Sequence, residues 1–232
     1  FLTVMVVFTT NLSAKQSVPS SKRSRCSIAR TSPSIIRDLQ SCGMEYGSPV
    51  FIRIFKEERQ LEVWVQVDDV FALFRTYRVA AMSGKLGPKL QEGDRQAPEG
   101  FYFVRPSQMN PNSSYHLSFN LGFPNAYDRA HGRTGSFLMV HGDCVSIGCY
   151  AMTDAGIEDI YTLMQAAFEG GQTFIRVHAF PFPMTDANMK RYEGHSKYEF
   201  WVNLKSGWDW FETEKRPPDV TVNHKLYQFA SD

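Results

Sequence analysis

From Pro49 onward apolar and polar positions alternate with period two. Val50, Ile52 and Ile54 interleave with Phe51, Arg53 and Phe55; after Glu57-Glu58-Arg59 a second run sets Leu61, Val63, Val65 and Val67 against Glu62, Trp64 and Gln66. Two alternating runs joined by a short polar turn predict a β-hairpin. Further strands are expected over 70–80 and 101–104 and along Tyr115, Leu117, Phe119 and Leu121, with a short apolar strand Ser136–Val140 that leads into His141. Clusters of Gly, Pro and Asn separate these runs, as strand connections require.

The helical period enters late. Ile157, Ile160, Tyr161, Met164 and Phe168 make one apolar stripe that Thr153 or Asp154 can cap and Gly170-Gly171 can end. Trp201, Leu204, Trp208 and Phe211 form a second stripe, stopped by Lys215-Arg216-Pro217-Pro218. The pattern predicts a mainly β fold with α: a sandwich-like, mostly antiparallel core, one helix after position 153 and a helical C-terminal extension. The expected divisions are a leader over 1–15, a basic linker with a short helix near Ser34–Gln40 over 16–47, a core domain over 48–181 and the extension over 182–232. Residues 11–34, rich in Ser, Lys, Arg and Pro, read as a solvated segment with few core positions.

Bulk properties narrow the classes. A chain of 232 residues, 43% hydrophobic and 21% charged, has the composition of a globular protein. A net charge of +1 gives no basic field for nucleic acid. The apolar run Phe1–Thr10 followed by Asn-Leu-Ser-Ala-Lys resembles a secretory signal, which makes export to the periplasm or cell envelope the expectation; a buried or disordered leader is the other reading. No later stretch is long and apolar enough to span a bilayer. Four cysteines, Cys26, Cys42, Cys144 and Cys149, lack zinc spacing, and no metal or organic cofactor is implied. In an exported protein Cys26 and Cys42 are a candidate disulfide.

The chemistry concentrates in Phe137–Asp154, FLMVHGDCVSIGCYAMTD. A buried strand ends in His141-Gly142, a loop follows, and Ser146-Ile147-Gly148-Cys149 precedes a capped helix. An imidazole beside a thiol can take its proton and make a nucleophile. A glycine next to the cysteine permits a tight turn that exposes N–H groups to a developing oxyanion. The plain alternative makes Cys149 a small buried hydrophobe.

Strand-His-Gly followed by Ser-x-Gly-Cys resembles the catalytic motif of the YkuD-type L,D-transpeptidase family. Ser83-Gly84-Lys85, Gly93-Asp94, Ala97-Pro98-Glu99-Gly100-Phe101-Tyr102 and the run Asn120–Gly132 extend the likeness, the last toward the YafK-like branch. The resemblance implies an enzyme of peptidoglycan stem peptides, acting at the L-centre of diaminopimelate. In it Cys149 is nucleophile, His141 base, Ser146 a loop-ordering group, and Gly148 with Cys149 the oxyanion donors. It implies transpeptidation or hydrolytic release of an attached group, with a murein-linked lipoprotein as a candidate partner. Two departures stand out: Ile147 occupies a position where many members carry histidine, and only Asp143-Cys144-Val145 separate the two half-motifs. A catalytically inactive peptidoglycan-binding domain is the competing class. A general cysteine protease lacks an Asn or Asp that spacing assigns as orienter.

Other residues carry two readings. Arg129 is either a fork for a stem-peptide carboxylate or a structural ion-pair member. His131 is a turn residue or lines the site, Cys144 a loop residue or a reversible thiol partner, and His178 a satisfied core or edge histidine. Trp201, Trp208 and Trp210 are read as packing, with sugar stacking the minority view.

Overall fold

The computed structural model describes residues 17–230, so the leader expected over 1–15 falls outside the described residues. The chain runs α1 (Lys22–Ser41), β1 (Val50–Phe55), β2 (Gln60–Val67), β3 (Val70–Arg78), β4 (Gly100–Val104), β5 (Met109–Asn110), β6 (Ser118–Asn120), α2 (Ala126–Ala130) and β7 (Met139–His141). It continues through β8 (Tyr150–Ala151), α3 (Asp154–Glu169), β9 (Ile175–Phe180), α4 (Asp186–Arg191), α5 (Tyr198–Glu214), β10 (Asp219–Asn223) and β11 (Leu226–Ala230). Two main sheets form, in the orders β3-β2-β1-β9-β4 and β5-β6-β7-β8, with β10 and β11 as a separate hairpin. Pairing is antiparallel except for β1 with β9 and β7 with β8.

Alternation along β1 sends its residues to two different cores. Val50, Ile52 and Ile54 join Leu61, Val63, Val65, Val177, Phe119, Val140, Tyr150 and the α3 stripe Ile157, Ile160, Tyr161 and Met164. Phe51 and Phe55 face the other way, against Phe211 and against Trp201, Leu204 and Trp208 of α5. The five-stranded sheet is therefore covered on both faces, and the three C-terminal tryptophans divide accordingly: Trp201 and Trp208 pack, and Trp210 is half-buried. Thr153 caps α3, accepting from Gly156 N, as the pattern predicts.

The segment expected to be a solvated linker is instead most of α1. Ser21 and Ser24 close a capping box at its start. Its inward face is written with small hydroxyl residues as well as apolar ones. Ser24, Ser27, Ile35 and Leu39 are buried, Ser27 Oγ donates to Glu158 of α3, and the Thr31 and Thr162 hydroxyls lie 2.7 Å apart. Cys26 and Cys42 are both exposed free thiols. Sixteen residues of helical rise separate them by about 24 Å, which excludes the candidate disulfide. At the other end the extension is not wholly helical, since it closes with the β10–β11 hairpin. The strand expected along 115–121 shortens to Ser118–Asn120, because His116 takes φ +65° and turns the chain.

A fully buried ion pair ties these layers together. Lys56 Nζ lies 3.0 Å from Glu99 Oε1 and donates to the Gly87 and Ala97 carbonyls. Glu99 in turn accepts from Gly87 N at 2.6 Å and from Trp201 Nε1 at 2.8 Å. Removing one partner leaves an uncompensated buried charge, so Glu99→Ala is expected to lower the unfolding free energy by about 3–5 kcal/mol. The double substitution Lys56→Met, Glu99→Leu should recover much of that loss. Urea titration of the three proteins checks both statements; a single variant within about 1 kcal/mol of wild type contradicts them.

Candidate functional site

The motif residues meet where β7 and β8 run side by side. Val140 pairs with Tyr150 and His141 with Ala151, in parallel register. Val140 and Tyr150 point into the core, so alternation directs Met139, His141 and the residue ahead of Tyr150, Cys149, to the opposite face. One strand spacing and two residues of rise put the α-carbons of Cys149 and His141 about 8 Å apart, a distance two facing side chains can close. The sulfur accepts from Met139 N at 3.4 Å and lies 3.8 Å from the Phe137 carbonyl.

Two contacts hold the His141 ring. Its Nδ1 donates to the Gly142 carbonyl at 2.6 Å, and the Tyr115 ring lies 4.8 Å from the imidazole at a 37° tilt. A carbonyl only accepts, so Nδ1 carries the proton and Nε2 is left as the basic nitrogen. Gly142 N donates to the Tyr115 and Leu117 carbonyls, both at 3.0 Å. A Cβ at Gly142 would stand 2.6 Å from Asp154 Oδ1 and 2.9 Å from the Tyr115 carbonyl, so close approach fixes glycine there. Asp154 Oδ1 also accepts from Asp143 N at 2.9 Å, anchoring the start of the loop to the start of α3.

The far end of the loop is held by two serines. Ser146 Oγ accepts from Cys149 N at 3.0 Å and donates to the Cys149 carbonyl at 2.6 Å. Gly148, at φ +94°, donates its N–H to Ser83 Oγ at 2.7 Å. Both N–H groups considered as oxyanion donors thus have hydroxyl acceptors. Around them Phe137 and Ile147 are each 76% exposed and Val145 57%, giving the site an apolar rim.

Burial sets the protonation states. It pushes the Cys149 thiol above its ordinary range, against the opposing pull of the Met139 N–H and the Lys89 charge. It draws the His141 imidazole down, against the Gly142 carbonyl and the Asp143 charge. Lys89 is only 5% exposed and is bound to Asp94 Oδ1 at 2.6 Å and to the Gln91 carbonyl at 2.9 Å. The resting pair is therefore thiol and neutral imidazole, with a buried cation nearby that favours the thiolate once it forms.

Other candidates lie elsewhere. The Arg129 guanidinium donates to the Pro124 carbonyl, and its side chain lines a cleft with Arg105, Gln108, Gly122 and Asn125 that includes neither Cys149 nor His141. His131 caps α2, stacks on Tyr127 and bonds through Nδ1 to the Tyr127 carbonyl at 3.0 Å, a turn role. His178 is buried edge-on between Phe51 and Phe101 as a core histidine, but its buried Nδ1 has no hydrogen-bond partner, so the expectation of a satisfied ring is not met. Cys144 is exposed. Among the described residues no group of His, Cys, Asp and Glu could hold a metal ion. Sequence reasoning missed Tyr115 over the imidazole, the Gly142 carbonyl as its orienter, Lys89, and the Ser83 contact. Only Ser83 left a trace, in the Ser-Gly-Lys segment.

The chain is 50% identical over 181 residues to “Putative L,D-transpeptidase YafK” of Escherichia coli strain K12, covering 78% of this chain and 74% of the relative; the protein of that name from Escherichia coli O157:H7 matches equally. Among solved structures it is similar to the K307A mutant of the helical cell shape determining protein Pgp2 from Campylobacter jejuni, with a TM-score of 0.48 and 18% identity over 77% of this chain and 72% of that one. Bdellovibrio bacteriovorus Bd1075 gives 0.40 at 19% identity over 71% and 58%. The L,D-transpeptidase catalytic domain, YkuD, matches residues 49–178, more than half of the sequence, and the chain belongs to that family.

Proposed function

We propose that the protein is a cell-envelope cysteine acyltransferase or amidase that acts on peptidoglycan stem peptides at the L-centre of diaminopimelate. The observation that carries this reading is the parallel pairing of β7 with β8, which turns Cys149 and His141 to one face while the Gly142 carbonyl fixes the imidazole tautomer. In the first half-reaction the Cys149 proton passes to His141 Nε2 as sulfur bonds to the carbonyl carbon. The C–N bond then breaks, and the amine leaves with the proton from His141, leaving a thioester. A second amine resolves the thioester by transpeptidation; water resolves it by hydrolysis, regenerating the thiol and releasing a carboxylate. We take hydrolytic release of a peptide or protein attached to diaminopimelate as the second half-reaction, with a murein-linked lipoprotein as the candidate partner. No helix among the described residues is long and apolar enough to cross a membrane.

Purified protein incubated with defined muropeptides, with and without an attached peptide, is expected to yield freed diaminopimelate ends by mass spectrometry. Cys149→Ala should abolish turnover, and His141→Gln should lower it by about 10²–10⁴-fold, the worth of a general base. New cross-links would assign transfer instead of hydrolysis. Muropeptide binding with no turnover in the wild type would assign an inactive binding domain and overturn the enzyme reading.

The protonation states give a separate test. Iodoacetamide reacts with thiolate, so its rate of labelling Cys149 should rise through a midpoint above about 8.5, the ordinary cysteine value. The depressed imidazole keeps its base form as pH falls, so kcat/KM should decline only below about 6.5, the ordinary histidine value. A labelling midpoint well under neutrality would mean a preformed thiolate–imidazolium pair and contradict the burial argument.

A further inference from the structure

Ser83 stands across the sheet edge from the nucleophile. Ala81 and Ala151 form an antiparallel bridge, with Ala151 N donating to the Ala81 carbonyl at 2.9 Å and Ala80 N to the Ala151 carbonyl at 2.8 Å. Two residues on from Ala81 and two back from Ala151, that register sets Ser83 opposite Cys149. The Ser83 hydroxyl donates to the Arg95 carbonyl at 2.7 Å and accepts from Gly148 N at 2.7 Å, so both its proton and one lone pair have fixed directions. Its own carbonyl accepts from Ala97 N, which ties it to the segment held by Lys56 and Glu99. No group within the loop holds the Gly148 amide in this way, since Ser146 is engaged with the Cys149 amide instead.

We propose that Ser83 is a positioning residue for acyl transfer, its hydroxyl oxygen keeping the Gly148 N–H aimed at the point where the oxyanion will form. A donor is useful to a tetrahedral intermediate at 2.7–3.1 Å and only if already oriented. Ser83 Oγ, 2.7 Å from Gly148 N, fixes the plane of that peptide before substrate arrives and keeps its bond while a substrate oxygen shares the N–H. A neutral substrate carbonyl gains little from a shared donor. An oxyanion gains more, since a hydrogen bond to a charged oxygen is about twice as strong. The oriented amide therefore favours the transition state over the bound substrate. Gly148 needs the outside anchor because its φ of +94° is a conformation with no side chain to hold it, and a Cβ there would meet nothing closer than 3.6 Å.

The proposal rests on Cys149 as the acylated residue, and its test separates the two. Intact-mass kinetics on the full chain would follow acylation by a carbapenem, which passes through an oxyanion, and alkylation by iodoacetamide, which does not. Ser83→Val and Ser83→Thr share a shape and differ in the hydroxyl; Ser83→Ala is a second hydroxyl-free variant should the valine protein fold poorly. Acylation should fall about tenfold in the Val or Ala protein, as expected for one hydrogen bond, and stay within about twofold of wild type in Thr. Alkylation should be unchanged in all, and Gly148 amide exchange should accelerate only where the hydroxyl is gone. Equal losses in acylation and alkylation, no loss, a gain of rate, or failure of threonine to rescue would overturn the role of Ser83. Alkylation without acylation in the wild type would instead remove the acyl-enzyme reading, and the proposal with it.

Discussion

Parallel pairing of two very short strands is the constraint on which the site depends. Parallel neighbours ordinarily need a crossover of a dozen or more residues, because the chain must return to the start of the first strand before beginning the second. Here β7 and β8 are joined by residues 142–149 alone. The return is possible because the strands are three and two residues long, so the distance to recover is small. A loop this short is taut, and its positive-φ positions, Asp143 at +65° and Gly148 at +94°, fall near its two ends. Each end is pinned from outside, by Asp154 at the first and Ser83 at the second. Cys149 and His141 therefore owe their relation to backbone register more than to any direct bond between them.

That geometry carries a chemical consequence. Burial of the imidazole and partial burial of the sulfur make both prefer their neutral forms. In the proposed mechanism, nucleophilicity is generated during the reaction by proton transfer coupled to attack, and a neutral imidazole of fixed tautomer is suited to that. The backbone carbonyl of Gly142 does the orienting that a carboxylate or amide side chain does in other triads. A carbonyl adds no full negative charge, so it fixes the tautomer without strongly raising the basicity of the ring. Lys89 supplies the compensating field from the thiol side.

The parts of this arrangement legible in the sequence are those encoded by periodicity or by a motif. Alternation along Val50–Phe55 and Leu61–Val67 gave the central hairpin, and the stripe from Ile157 to Phe168 gave α3 with its Thr153 cap. His-Gly and Ser-x-Gly-Cys marked the loop ends. The helix α1 was hidden because its inward face uses Ser24, Ser27 and Thr31, residues that score as polar: Ser24 is buried in the capping box with Ser21, and Ser27 and Thr31 bond through their hydroxyls to Glu158 and Thr162. The shortened strand at 115–121 was hidden by His116, whose positive φ no local signal announces. The orienter was hidden for a deeper reason: a main-chain carbonyl has no letter in the sequence.

The region after residue 178, beyond the family match, is bound into the wall of the site. Trp201 of α5 reaches Glu99, Glu99 holds Gly87 and Lys56, and Lys56 holds the Ala97 carbonyl. Tyr150, next to Cys149, donates to the Pro98 carbonyl at 2.6 Å, one residue from that clamp. A displacement of α5 would thus be felt at 96–99, and from there at both Ser83 and Tyr150, the latter adjoining Cys149 in the chain. Packed elements transmit strain of this kind because their interiors have little free volume to absorb it. The C-terminal helix is in this sense tied to the motif: its tryptophan is the outer end of a chain of hydrogen bonds whose inner end is the Gly148 N–H on Ser83 Oγ.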